Sequence, residues 1–131
     1  MGPLCIIQAN MTARKLLLLP AFSLLLLAAD PIIESAHKQI AAKKYDEAIS
    51  ALEVSYKAKP KPEVKTALAE ANLAKADAFM NDDSAPPRIR YTTALRAYRE
   101  TLKYDPQNKK AQQNISTIEG IYKQMGRPIP Q

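Results

Sequence analysis

From Asp30 onward, apolar residues return every three or four positions, which predicts a chain of helices. Asp30-Pro31 joins a good capping acceptor to a proline in the first turn, where its missing N–H costs nothing. A first helix is predicted from there to about Lys44, with Ile33, Ala36 or His37, and Ile40 as its stripe. Tyr45-Asp46-Glu47-Ala48 reads as a turn feeding a second helix, with Ala48, Leu52 and Ser55 on one face and Ile49 and Tyr56 beside them. Lys59-Pro60-Lys61-Pro62 stops it, because neither proline can donate and the residue before each avoids the α region.

A third helix is predicted from Pro62 or Glu63. It is rich in alanine, the best helix former, and Ala67, Ala71, Ala74 and Ala78 make a small-residue stripe. The run NDDSAPP over residues 81–87 is a loop. A fourth helix follows over 88–104, with Tyr91, Ala94, Leu95, Tyr98 and Leu102 as its apolar set. Asp105-Pro106 repeats the cap-and-proline opening. The fifth helix runs to about Met125 through Ala111, Ile115, Ile118 and Tyr122, and Gly126, Pro128 and Pro130 end it. No segment alternates with period two, so the fold class is all-α.

The N-terminus follows a different pattern. Residues 16–29, LLLLPAFSLLLLAA, form 14 uncharged positions behind Arg14 and Lys15. A short basic region and an apolar run of roughly 7–15 residues describe a secretory signal. A spanning helix needs about 20 apolar residues, and Pro20 interrupts this run. Residues 1–29 are therefore expected to be a signal peptide or an N-terminal hydrophobic segment, with the start at Met1 or Met11, and residues 30–131 the helical domain. Export to the periplasm or cell envelope follows, with an uncleaved N-terminal membrane anchor as the alternative to cleavage before Asp30.

Composition narrows the classes. A chain of 131 residues suits one domain. Three glycines exclude a Gly-rich phosphate loop as a main feature, and one cysteine excludes a disulfide framework and a cysteine-based zinc site. Without residues 1–29 the net charge falls from +6 to +4.

One helix type is used twice. AISALEVSYKAKP and ALRAYRETLKYDP align without a gap: Ala48 with Ala94, Ala51 with Ala97, Leu52 with Tyr98, Pro60 with Pro106. This set resembles the second helix of the tetratricopeptide repeat (TPR) family, which carries an alanine, a large residue four later and a closing proline. Tyr45-Asp46-Glu47-Ala48 is similar to the opening of that helix, and Asp105-Pro106-Gln107-Asn108 with Ala111 is similar to the start of a following repeat. Ala48 and Ala94 lie 46 residues apart, against a family period of about 34. The extra residues are assigned to a longer third helix and the 81–87 loop. In the first helices there is no Trp, and Ala36 supplies the small residue. The resemblance implies a TPR-like α-solenoid of about two repeats plus a C-terminal capping helix, whose polar outer face carries Lys109, Lys110, Gln112, Gln113 and Lys123.

Side chains with reactive chemistry are few. His37 is the sole histidine, with Glu34 one turn before it, and reads as a partly exposed helical residue. No G-x-S-x-G motif accompanies the serines, and Asp82-Asp83 lacks the pattern of a calcium loop. No catalytic residue, metal or cofactor is expected. Arg88, Arg90, Arg96 and Arg99, with Tyr91 and Tyr98 interleaved, could make a basic face for nucleic acid or anionic lipid; the competing reading is a solvated helix face with its tyrosines in the core.

In the TPR family, ligands lie in the groove lined by the first helices, and some members clamp a peptide carboxylate there. The first helix here offers no clamp lysine, so that activity is not carried over. The expected function is a non-enzymatic interaction module, an exported scaffold or adaptor that binds a protein or peptide through Ile33, His37, Ile40, Lys75, Arg96 and Arg99. Nucleic acid is not the expected partner; self-association and membrane proximity through the N-terminal segment are both compatible with the pattern.

Overall fold

Five helices account for most of the 30–131 segment, the part of the chain that the computed structural model describes: α1 (Pro31–Ala41), α2 (Tyr45–Ala58), α3 (Pro62–Met80), α4 (Pro87–Tyr104) and α5 (Lys109–Gln124). The protein is all-α, with no strand among the described residues. The apolar segment 16–29 and Cys5 lie outside them. Each helix packs on the next, and α1 also touches α3.

Local chemistry sets most boundaries. Asp30 Oδ1 accepts the Ile32 N–H at 3.2 Å, and Oδ2 receives Lys61 Nζ at 2.6 Å. This ties the start of α1 to the turn before α3. The Lys61 hydrogen bond, helped by the Ile32 N–H, holds the Asp30 carboxyl below the usual carboxylate range.

Two boundaries differ from the sequence expectation. α1 stops at Ala41, short of Lys44, because Lys43 turns into the left-handed region at φ 61°. The Lys44 N–H then reaches the Gln39 carbonyl at 2.8 Å and the Lys43 N–H the Ile40 carbonyl at 2.9 Å, the paired bonds that close a helix end. Tyr45 to Glu47 are consequently already helical. Likewise α5 begins at Lys109, capped by Asn108 and not by Asp105. Asn108 Oδ1 caps the Ala111 N–H at 3.0 Å, while Asp105 holds Asn108 Nδ2 at 3.1 Å. An asparagine beside the helix competes successfully with an aspartate followed by proline.

The two alanine-to-proline segments bury the same two leading positions. Ala48 and Leu52 in α2, and Ala94 and Tyr98 in α4, are fully buried. Each helix lies between its predecessor and its successor. Their ends match as well: the Lys59 N–H reaches the Ser55 carbonyl at 3.0 Å, and the Asp105 N–H the Thr101 carbonyl at 2.8 Å. The extra length between them goes to α3, which has 19 residues against 11 in α1, and to the 81–86 loop.

Two apolar clusters form the core, and α3 feeds both. Val64, Ala67, Leu68 and Ala71 join Ala36, Ala48 and Leu52 in the N-terminal cluster. Ala76, with Leu73, Phe79 and Met80, joins Leu95, Tyr98, Ile118 and Tyr122 in the C-terminal one. A helix that serves both cannot be amphipathic in the one-sided sense, hence its apolar positions all around. The expected small-residue stripe is only half used: Ala67 and Ala71 are buried, Ala74 and Ala78 half-buried.

Candidate protein-binding face

Thr66, Glu70, Leu73 and Asp77 stand three or four residues apart on one side of α3. From α1, His37 Nε2 approaches Glu70 Oε2 at 3.5 Å. From α5, Lys110 Nζ reaches Asp77 Oδ2 at 2.6 Å. Over the N-terminal half of α3 lies an open cavity of about 560 Å³, lined among others by Lys65, Thr66, Glu70, Leu73, Tyr104 and Asn108. Volumes of this order accept a ligand segment (typical sites are ~300–1,000 Å³). The lining offers apolar surface at Leu73 and Tyr104 and both signs of charge, a surface suited to a peptide backbone with mixed side chains.

Polar bonds fix the walls. Tyr98 Oη donates to Asp77 Oδ1 at 2.8 Å and accepts from Asn114 Nδ2 at 2.8 Å. Asp77 thus joins α3, α4 and α5 at one end of the face. Burial, then the Asp77 carboxylate, pushes the Tyr98 hydroxyl well above the ordinary tyrosine range. At the other end Tyr56 and Tyr104 meet edge to face, with ring centres 6.1 Å apart. The His37–Glu70 pair is 57% and 59% exposed, so solvent screens it and it contributes little to stability.

The six residues expected to line a groove do not converge. Ile33 and Ile40 are half-buried against the N-terminal cluster. His37 does stand at the α1–α3 face, but with Glu70; Glu34 pairs with Lys38 instead. Lys75 lies near the α1–α2 turn, where Nζ meets Asp46 Oδ1 at 2.5 Å. Arg96 is exposed on α4. Arg99 faces α5, donating to Glu119 Oε1 at 3.2 Å and to the Pro130 carbonyl at 2.7 Å.

Nor do the arginines form one free basic face. Arg90 is bound to Asp83 at 2.6 Å and to Tyr91 Oη at 2.9 Å, with its guanidinium 4.8 Å from the Tyr91 ring centre. Arg99 is committed as described, and Tyr98 is in the core. The loop acids are also used internally: Asp82 accepts both the backbone N–H and the hydroxyl of Ser84, which hold its carboxyl below the usual range.

Sequence reasoning missed Glu70, Leu73, Asp77 and Tyr104. The available signal was the helical spacing of Thr66, Glu70, Leu73 and Asp77, at intervals of three and four residues, in a helix where the alanines give the stronger pattern. Among the described residues no group of three or more His, Cys, Asp or Glu side chains is arranged to hold a metal, and no helix is long and apolar enough to cross a membrane. The described residues thus form an all-α fold of five helices with an open face along the central one. No protein family, curated protein or solved structure matches the chain.

Proposed function

We propose that this protein is a TPR-like interaction module, a non-enzymatic scaffold or adaptor that works after export to the periplasm or cell envelope. One observation carries the reading: α2 and α4 use the same alanine, large residue and closing proline, and bury the alanine and the large residue to the same depth. Helix pairs built this way cover their neighbours and leave the first helices to line a shared groove. In this molecule that groove is the α3 face between His37 and Lys110. Its occupant is an extended peptide segment, held by Leu73 and Tyr104 and oriented by Lys65, Glu70 and Asn108. The sequence of residues 1–29 supports export.

A photo-crosslinking residue at Thr66, compared with one at Val54, which is 69% exposed on α2, tests the groove in living cells. The same partner should be trapped from Thr66 and not from Val54, and Glu70→Lys, at an exposed position of the same cavity, should weaken the adduct without unfolding the protein. Equal yields from both positions would reject the groove. N-terminal sequencing of protein from the envelope fraction should begin at Asp30; an intact Met1 or Met11 in a cytosolic fraction would reject export.

A further inference from the structure

At the far end of the molecule, away from the α3 face, the C-terminal segment folds back over α4 and α5. Gly126, at φ +62°, makes the turn. The Arg127 N–H reaches the Tyr122 carbonyl and the Gly126 N–H the Lys123 carbonyl, both at 3.0 Å. Ile129 then packs against the C-terminal cluster, and Arg99 holds the Pro130 carbonyl. The result is a cavity of about 470 Å³ between the first turns of α4, the end of α5 and the returning chain. Three prolines with Tyr91, Tyr122 and Met125 give it mostly apolar walls, and Arg88 and Arg127 stand at its edge.

The walls are fixed and the charge is one-sided. Thr92 Oγ1 and Tyr122 Oη share a hydrogen bond at 3.1 Å. Tyr91 is held under Arg90. The acids nearest in sequence and contact are already occupied, Asp83 by Arg90 and Glu119 by Arg99. No Asp or Glu lines the cavity, and neither Arg88 nor Arg127 forms an ion pair among the described residues. Guanidinium groups take carboxylates with paired hydrogen bonds and stack on aromatic faces. A volume of this size suits a small molecule buried on most sides.

We propose that this cavity is a binding site for a small organic carboxylate with an aromatic or acyl body. The carboxylate sits between Arg88 and Arg127, and the body lies against Tyr91, Tyr122 and Met125. Arg99 is a positioning residue here: it touches the Pro130 carbonyl and so holds one wall. The site is independent of the peptide groove proposed above.

The full chain, ¹⁵N-labelled, is titrated with naphthalene-2-carboxylate and, separately, with the neutral naphthalene-2-methanol. The amide signals of Arg88, Thr92, Tyr122 and Met125 should shift and saturate with the carboxylate. The alcohol should bind at least tenfold more weakly. The Arg88→Ala/Arg127→Ala double variant should lose at least tenfold in carboxylate affinity, whereas Arg96→Ala, which removes one exposed positive charge elsewhere on α4, should lose less than twofold. The ligand-free double variant should keep the wild-type amide pattern across α2 and α3, remote from both substitutions, which shows that it is folded. Equal affinity for acid and alcohol, shifts confined to other residues, no shift at all, or an unchanged double variant would each overturn the assignment.

Discussion

The same slot holds leucine in the N-terminal half and tyrosine in the C-terminal half. Leu52 and Tyr98 follow a buried alanine by four residues and are both fully buried, yet their surroundings differ. Leu52 sits among Ala36, Ala48, Val64 and Leu68, an all-apolar cluster that needs no partner atoms. Tyr98 carries a hydroxyl into its cluster, and burying a polar group is favourable only where it is bonded. Asp77 from α3 and Asn114 from α5 supply those bonds. The slot therefore specifies volume, and the neighbouring helices decide whether it is dry or polar. The polar version also specifies which helices must meet, since the hydroxyl is satisfied only when α3, α4 and α5 are in register.

Leu52→Ala is expected to break the comparison at the dry end. It removes a fully buried side chain from a cluster of alanines with little capacity to collapse, at a cost of about 2–5 kcal/mol in denaturant unfolding. Tyr98→Phe keeps the volume and removes the hydroxyl, leaving Asn114 without its acceptor; a loss of about 1–2 kcal/mol is expected. A measured cost as large as that of Leu52→Ala would show that the polar bonds, and not the volume, dominate the second slot.

A pH series sharpens the same contrast. The Tyr98 hydroxyl titrates higher in the folded protein than in the unfolded chain. Its stabilisation is thus fully present below the unfolded tyrosine value of about 10 and is lost as pH rises above it. Unfolding free energy should fall above about pH 10, and Tyr98→Phe should flatten that fall. An equal alkaline slope in the variant would assign the effect to other tyrosines.

The two helix ends that close through a left-handed residue make a smaller comparison. α5 uses Gly126, and α1 uses Lys43, at φ +62° and 61°. A Cβ at Gly126 would meet nothing within 4 Å, so Gly126→Ala should cost about 1 kcal/mol from backbone strain alone. The converse, Lys43→Gly, should stabilise by roughly 0.5–1 kcal/mol. Thermal unfolding should move down for the first and up slightly for the second; parallel shifts would mean that the strain argument fails at one end.

Helix number, order and most boundaries were legible in the sequence because capping residues, prolines and glycine act within a few positions of themselves. Pro60, Pro106 and Gly126 end or follow helices by local sterics, and the apolar spacing of α4 and α5 points to the residues that are buried. Two ends moved because a competing local bond was equally available: Lys43 in the left-handed region, and Asn108 in place of Asp105. The candidate face was much less legible. His37 is the one expected groove residue found there. Glu70 and Asp77 gained their significance only from partners 33 residues away in each direction.

What the sequence by itself determined is a set of five helices and the repetition of one of them, because both follow from contacts within a turn or two of chain. Only the tertiary structure decided which side of α3 stays open, where Arg99 is spent, and that the tail closes a cavity over α4 and α5. Those outcomes depend on which helix lies beside which. They rest on interactions between residues tens of positions apart, for which spacing along the chain carries no information.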